Sequence, residues 1–128
     1  MTPELSYLVW SIALTFVLVL IAVAGATLEV GLPKLAGNRD GMPDMTGWAG
    51  RAARAHRNML ESLILFAALV VAAHLAGVHN GMTLLGAQLF FWGRVAHAAI
   101  YVAGIPWLRT GAWGVSIAGL VLIFVQLM

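Results

Sequence analysis

Residues 5–28 read LSYLVWSIALTFVLVLIAVAGATL, an uninterrupted stretch without a charged side chain. A helix of about 20 apolar residues spans the roughly 30 Å hydrocarbon core of a bilayer, so this stretch predicts a transmembrane helix. We expect it to be retained rather than cleaved as a signal peptide. The apolar run is too long for a signal peptide, and Glu4 precedes it where a signal peptide carries basic residues.

The composition of the whole chain agrees with a membrane protein. Hydrophobic residues make up 62% of the chain and charged residues only 9%, against about 45–50% and about 25% in soluble domains. So few charges would leave the surface of a soluble protein uncovered. The absence of cysteine excludes disulfides, thiolate nucleophiles and cysteine metal sites. No basic cluster interleaved with aromatic residues indicates nucleic-acid binding.

Three further helices follow from the pattern of apolar runs and helix breakers. Residues 33–47 (PKLAGNRDGMPDMTG) contain two prolines, three glycines and four charges, which predict a loop outside the membrane. The segments GVHNG at 77–81 and GIP at 104–106 predict two turns. We therefore predict one all-α domain over residues 1–128, an integral membrane four-helix bundle with helices at about residues 5–32, 47–76, 82–103 and 109–126.

The positive charges predict the orientation of this bundle. Lys and Arg residues lie in or beside the first loop and at Arg109 in the third, whereas the second loop and both termini have none. The positive-inside rule places loops one and three in the cytoplasm and both termini outside. We expect a multi-pass protein of a bacterial inner membrane.

A polar face runs along the second predicted helix. Arg54, Asn58 and Glu61 follow one another at i, i+4 and i+7, so they share one side of the helix. Arg57 and Glu61 also form an i, i+4 pair. Glu61 lies roughly 18 Å inside the helix start at about 1.5 Å per residue. An ionised carboxylate at that depth is costly unless it is paired, which indicates a partner on a neighbouring helix.

The third predicted helix offers such a partner. Arg94, His97 and Tyr101 stand at i, i+3 and i+7, again on one side, and Arg94 lies roughly 15 Å from the cytoplasmic end of the helix. Antiparallel helices joined by a short turn bring Arg94 and Glu61 to similar depth. We therefore predict that the two charges face each other in a polar cleft that opens to the cytoplasm.

Two interpretations of this cleft stay open at the level of sequence. An Arg94–Glu61 ion pair can serve packing alone, as it would in a purely structural scaffold. That interpretation leaves unexplained the other polar side chains predicted in the same region, which are Arg54, Arg57, Asn58, His97, Tyr101 and Arg109. Ionisable residues inside a membrane generally mark function, so we favour a site for a small polyanionic ligand.

The remaining histidines do not predict a metal site. His56 lies off the polar face, and His74 and His79 lie near the outer turn, where we expect no carboxylate or thiol partner. The chain contains no HExxH motif and no histidine pair at i, i+4 on one helical face. Glycine-rich phosphate loops and Ser-His-Asp patterns are also absent from the sequence.

Two segments resemble the paired signatures of one membrane family. Residues 54–61 read RAHRNMLE and residues 93–101 read GRVAHAAIY. They are similar to motifs of the membrane-associated proteins in eicosanoid and glutathione metabolism, which include microsomal prostaglandin E synthase, leukotriene C4 synthase and the microsomal glutathione transferases. The resemblance spans most of the chain. The combination of both motifs on the expected helices is more specific than either motif alone.

This resemblance implies a homotrimer with one glutathione in each cleft between subunits. Arginines suit the two carboxylates of glutathione through bidentate charge-assisted bonds, and Glu61 suits its ammonium group. By motif position, the residues that match the family's glutathione contacts are Arg57, Asn58, Glu61, His97 and Tyr101. Arg94 matches the family's buried arginine. Arg54, on the same helical face, joins this predicted binding set, as does Arg109.

The resemblance also implies catalysis at the start of the fourth helix. Arg109 and Thr110 look like the Arg-Ser pair that holds and activates the glutathione thiol. A guanidinium and a hydroxyl beside sulfur would lower the pKa of the thiol toward neutral. The thiolate would then attack a lipophilic electrophile or reduce a lipid hydroperoxide from the bilayer. The implied function is a glutathione-dependent transferase or peroxidase in lipid metabolism or detoxification. The alternatives are a glutathione- or ligand-binding protein without catalysis and a small proton-coupled multidrug transporter.

Two positions depart from the family pattern. Family members carry an arginine near the cytoplasmic end of the first helix, whereas this chain has Glu29 in that region. We expect Glu29 either to contact the ligand's ammonium group or to pair with Arg54 across a subunit interface. The match of Arg109 requires a one-residue deletion after Tyr101, and Thr110 replaces the family's serine.

Overall fold

A computed structural model describes all residues 1–128, and it contains helices but no strands. The predicted all-α class is therefore confirmed. The elements in chain order are α1 (Pro3–Val30), α2 (Leu32–Ala36), α3 (Gly47–Leu75), α4 (Gly81–Ala103) and α5 (Pro106–Leu127).

Capping residues determine where the long helices begin. The side chain of Thr2 accepts a hydrogen bond from the backbone N–H of Leu5 at 3.3 Å, and Pro3 occupies the first turn of α1. Asn80 caps α4 in a reciprocal capping box with Thr83. Pro106 opens α5, three residues before the expected start at Arg109. Proline has no N–H to lose at a helix start, so it initiates α5 rather than merely separating two helices.

The first helix ends earlier than the expected residue 32. At Gly31 the backbone turns with φ of 87°, a conformation open to glycine, and α1 stops at Val30. The five-residue helix α2 then begins at Leu32 with Pro33 in its first turn. All of this helix except Leu32 falls inside the segment that was predicted to be a loop from Pro33 onward. That prediction treated Pro33 only as a helix breaker, although proline is well tolerated in the first turn of a helix.

Small residues allow α4 and α5 to pack backbone against backbone. A Cβ atom added at Gly86 would lie 2.7 Å from the carbonyl oxygen of Gly119, and one added at Gly93 would lie 2.9 Å from the backbone nitrogen of Ser116. Such close approach is typical of helices that associate in membranes through van der Waals contact. This packing sets the rotation of α5 and therefore the placement of Arg109.

The other contacts of the bundle centre on α3. Gly25 of α1 packs against Ala49, where an added Cβ would lie 2.7 Å from the Ala49 Cβ atom. The rings of Phe66 in α3 and Phe90 in α4 stack with centroids 4.0 Å apart, and both side chains are fully buried. The helix α3 thereby packs against both α1 and α4.

Three of the helices, α1, α3 and α5, are long and apolar enough to cross a membrane, with mean hydropathies of 2.6, 1.8 and 1.8 over their most apolar stretches. The helix α4 is not among them, and it carries Gln88, Arg94 and His97. Large apolar side chains such as Trp10, Phe16 and Ile64 are exposed on the outside of the bundle. Such an exterior fits lipid better than water.

Candidate functional site

A cleft of about 210 Å³ lies between α3, α4 and α5, near the connection that joins the last two helices. Its lining residues are Asn58, His97, Tyr101, Arg109, Thr110 and Trp113. All of these except Trp113 were singled out from the sequence as candidate site residues. The fold therefore brings together the amide of α3, the imidazole and phenol of α4, and the basic start of α5.

Three side chains in this cleft pack one against the next, in the order Arg109, Tyr101 and His97. The guanidinium Cζ of Arg109 lies 4.3 Å from the centroid of the Tyr101 ring, within cation–π distance. The Tyr101 ring meets the His97 ring edge to face, with centroids 5.4 Å apart and planes 72° apart. This stack holds the charge of Arg109 at the cleft and limits the positions that its side chain can adopt.

Several buried polar atoms beside the cleft have no hydrogen-bond partner within the chain. They are Asn58 Oδ1, His97 Nδ1, and the Nε and Nη1 atoms of Arg94. An unsatisfied buried polar group costs about 1–3 kcal/mol, and such groups are rare in native proteins. Their concentration around one cleft is the arrangement expected where a polar ligand completes the hydrogen bonds.

The expected pairing of Arg94 with Glu61 is not present in the subunit. Arg94 is 1% exposed and keeps unpaired nitrogens, whereas Glu61 is exposed on the outside of α3. The buried stripe of α3 consists of Ala52, Ala55, Met59, Ser62 and Phe66, spaced three or four residues apart. Because this stripe packs into the bundle, it turns Glu61 away from α4. The prediction that Glu61 and Arg94 face each other was therefore wrong.

Arg54 and Arg57 also lie on the outside of α3, away from the cleft. They line a separate cavity of about 500 Å³ between α3 and the segment that precedes it, together with Arg39 and Asp44. The candidate residues of the second helix thus divide into two groups. Asn58 borders the cleft, while Arg54, Arg57 and Glu61 are exposed on the subunit surface.

Glu29 forms a contact that the sequence did not predict. Its carboxylate accepts hydrogen bonds from the backbone N–H of Thr46, at 3.0 and 3.1 Å to its two oxygens, and from the Thr46 hydroxyl. These bonds join the end of α1 to the start of α3. Within the subunit, Glu29 is therefore engaged with Thr46 rather than with Arg54.

Two residues near the cleft were missed at the level of sequence. Trp113 lines the cleft and stands at i+4 from Arg109. This spacing places both residues on one side of α5, so Trp113 could have been predicted as a site residue.

Arg51 donates from Nε to the backbone oxygen of Val102 at 3.0 Å, where α4 ends. A cation at a helix C-terminus satisfies a free carbonyl and complements the helix dipole. Arg51 thereby holds the end of α4 against α3.

A second buried polar group lies at the opposite end of the bundle. Glu4 is 7% exposed; its Oε1 accepts from the Thr83 hydroxyl at 3.0 Å, and its Oε2 has no partner. A small cavity there is lined by Glu4 together with His74 and His79. The helix α1 therefore brings a carboxylate into the same small cavity as these two histidines, a placement that the sequence did not predict.

One comparison with known proteins identifies the family of this chain. The model of the MAPEG family matches residues 5–128, which is nearly the whole chain. The chain belongs to the MAPEG family. The resemblance drawn from the two motifs is thereby confirmed, and the protein is a membrane protein of a family that includes microsomal glutathione transferases and related enzymes. No curated protein and no solved structure matches the chain. For MAPEG proteins the activity at family level is glutathione-related transfer, isomerisation or peroxide reduction.

Proposed function

We propose that this MAPEG protein is a glutathione-dependent membrane transferase or peroxidase that acts on lipophilic electrophiles or lipid hydroperoxides. The observation that carries the proposal is the cleft in which Asn58, His97, Tyr101, Arg109 and Thr110 meet beside unsatisfied polar atoms. Glutathione offers carboxylates, amides, an ammonium and a thiol, so it supplies partners for cations, for an amide oxygen and for an imidazole nitrogen.

In this proposal Arg109 and Thr110 act on the sulfur. The Arg109 guanidinium, steadied by the Tyr101 ring, would stabilise the thiolate relative to the thiol. The Thr110 hydroxyl makes only a long 3.5 Å bond to the Pro106 carbonyl oxygen, which leaves it available to donate to sulfur. The thiolate then forms a bond to an electrophilic carbon, either by expelling a leaving group or by adding to a carbon–carbon double bond whose other carbon takes up a proton. With a hydroperoxide it attacks the terminal oxygen and breaks the O–O bond, which releases the alcohol and leaves glutathione sulfenic acid, and a second glutathione then converts this to the disulfide and water.

A homotrimer would account for the charged residues on the outside of α3. Arg54, Arg57 and Glu61 are exposed in the single subunit, and Glu61 lies about 21 Å along α3 from its start. A carboxylate at that depth facing lipid is unfavourable. If a second copy covers this face, Arg54 and Arg57 can bind carboxylates of glutathione between subunits, and Glu61 can pair with its ammonium group. Arg94, buried behind the cleft, would then add a positive charge to the glutathione site.

The arrangement in the membrane follows the same proposal. All four long helices would cross the membrane, α4 being sheltered by α3 and α5 because it carries Arg94. Loops one and three would lie in the cytoplasm of a bacterium, where glutathione is abundant in reduced form, and both termini would lie outside.

A thermal-shift experiment on the detergent-solubilised protein tests the ligand class. We expect glutathione to raise the melting temperature and desamino-glutathione to do so less, because only glutathione offers Glu61 an ammonium partner. In the Glu61→Gln variant the two ligands should give equal shifts. The Lys34→Gln variant, which removes an exposed charge in α2, serves as the control. No shift with glutathione in the unmodified protein would refute the proposal.

A further inference from the structure

Arg51 forms the one side-chain hydrogen bond that joins α3 to α4. Its Nε atom donates to the Val102 carbonyl oxygen at 3.0 Å, across 51 positions of the chain. That carbonyl lies in the last turn of α4, where a continuing helix would pair it with the backbone N–H four residues later. The residue four positions later is Pro106, which has no N–H to donate. Arg51 therefore supplies a donor that the backbone cannot provide.

The same side chain lies against the glycine that caps the end of α4. Gly104 has a φ of 86°, in the left-handed region that glycine adopts readily. A Cβ atom added at Gly104 would lie 3.3 Å from the Nε atom of Arg51 and 3.4 Å from its Cζ atom. The guanidinium therefore occupies the space beside a residue without a side chain, and it packs directly on the connection between α4 and α5.

This connection lies between the two residues of the cation–π contact. Tyr101 lies in the last turn of α4, and Arg109 lies in the first turn of α5. The close glycine contact of Gly93 with Ser116 lies roughly 16 Å along α4 from the connection, at about 1.5 Å per residue. A small movement at the connection would therefore shift Arg109 against the Tyr101 ring, and the hydrogen bond from Arg51 restrains that movement.

Arg51 itself lines neither the polar cleft nor the cavity beside Arg54 and Arg57. The neighbouring residues Ala52 and Ala55 are fully buried, so α3 is packed into the bundle at this level. Arg51 thus joins a well-packed part of α3 to the backbone at the end of α4. Its influence on a ligand in the cleft acts through that backbone.

We propose that Arg51 is a positioning residue for the thiolate site. It binds the Val102 carbonyl oxygen and packs on Gly104, which fixes the end of α4 relative to α5. The start of α5 then keeps Arg109 over the Tyr101 ring. The inference rests on the proposed function, in which Arg109 stabilises the glutathione thiolate. Without the bond from Arg51, the Arg109 guanidinium adopts more positions, and fewer of them place its charge beside the sulfur.

Two substitutions of Arg51 separate positioning from charge. Gln and Met are both uncharged, but Gln ends in an amide nitrogen at the position of the arginine Nε atom, whereas Met ends there in a methyl group. We expect Arg51→Met to raise the apparent thiol pKa of bound glutathione by about one unit, and Arg51→Gln to leave it near that of the unmodified protein. A pH titration of the thiolate difference absorbance measures both values.

Glutathione affinity is a second readout, which a general structural defect would change. At a pH low enough to keep the bound thiol protonated, Arg51→Met should leave the Kd within about twofold, while turnover at neutral pH falls. Lys34→Met removes an exposed cation from α2 and should change neither quantity. Gly104→Ala retains every charge, but its Cβ atom displaces the Arg51 side chain, so the thiol pKa should rise there as well.

Other results would overturn the inference. Equal rises in Arg51→Met and Arg51→Gln would show that the charge of Arg51 acts directly on the sulfur. An unchanged thiol pKa in Arg51→Met would show that the bond does not position Arg109. If that variant does not fold, an unchanged thiol pKa in Gly104→Ala would show the same. Absence of thiolate in the unmodified protein would refute the proposed function and this inference with it, whereas thiolate that forms equally in every variant refutes this inference alone.

Discussion

The guanidinium of Arg109 lies over the ring of Tyr101, with its Cζ atom 4.3 Å from the ring centroid. The two residues belong to different helices, and the connection at Gly104, with φ of 86°, turns the chain between them. This contact places the proposed thiolate-stabilising charge beside the polar cleft.

We predict that Arg109→Leu abolishes formation of bound glutathione thiolate. Loss of one preorganised charged donor commonly lowers turnover about 100- to 1000-fold, and glutathione-conjugation activity should fall by that order. The thiolate is detected by its ultraviolet difference absorbance on titration with glutathione. Lys34→Leu, which removes an exposed cation from α2, should retain the signal. An unmodified protein that binds glutathione without forming thiolate would instead support the non-catalytic alternative.

We predict that the ring of Tyr101 and its hydroxyl have separable roles. Tyr101→Phe keeps the aromatic face under Arg109, so it should retain the thiolate signal, whereas Tyr101→Leu removes the cation–π contact, which contributes about 0.5–2 kcal/mol. We therefore expect the apparent thiol pKa of bound glutathione, measured by pH titration of the thiolate absorbance, to rise only in Tyr101→Leu. Equal pKa values in both variants would show that the ring does not position Arg109.

We predict that Glu29 stabilises the fold and does not bind glutathione within its own subunit. Its carboxylate accepts hydrogen bonds from the backbone N–H and hydroxyl of Thr46, and hydrogen bonds to a charged acceptor are stronger than those between neutral groups. Glu29→Ala should lower the melting temperature while leaving the Kd for glutathione within about twofold.

Thr46→Val is the matched partner substitution for this test. It removes the hydroxyl but keeps the backbone donor, so its effect on stability should be smaller than that of Glu29→Ala. A tenfold loss of glutathione affinity in Glu29→Ala, with affinity unchanged in Thr46→Val, would restore the expectation that Glu29 contacts the ligand.

We predict that two glycines of α5 respond oppositely to alanine. A Cβ atom at Gly119 would lie 2.8 Å from the backbone nitrogen of Phe90, so Gly119→Ala should force α4 and α5 apart. A Cβ atom at Gly114 meets open space, and Gly114→Ala should stabilise the helix by about 0.5–1 kcal/mol. Thermal unfolding in detergent measures both changes. Similar effects of the two substitutions would contradict the close packing of α4 on α5.

The sequence was sufficient to predict the all-α class and to predict which residues share one side of each helix. His97 and Tyr101 share a side of α4 because their spacing follows the helical repeat, and both line the cleft. Asn58 was correctly expected near them. These predictions depend only on local geometry, which one helix determines without its neighbours.

The direction in which a helical face points was harder to predict. The spacing of Arg54, Asn58 and Glu61 places them on one side of α3, but it does not specify the rotation of α3 against the bundle. A different face of α3, which contains Ala55 and Met59, carries small and apolar side chains that pack more closely against the bundle than the charged side chains would. Its burial turns Glu61 outward and removes the expected Arg94–Glu61 pair.

The sequence by itself therefore determined the apolar helices, the membrane environment and the paired motifs that identify the family. Only the tertiary structure decided which polar residues meet, because contacts between helices depend on rotation and close packing at glycines such as Gly86 and Gly119. That packing places Arg109 over Tyr101, whereas the hydrogen bonds from Thr46 occupy the Glu29 carboxylate, which was expected to contact the ligand or to pair with Arg54.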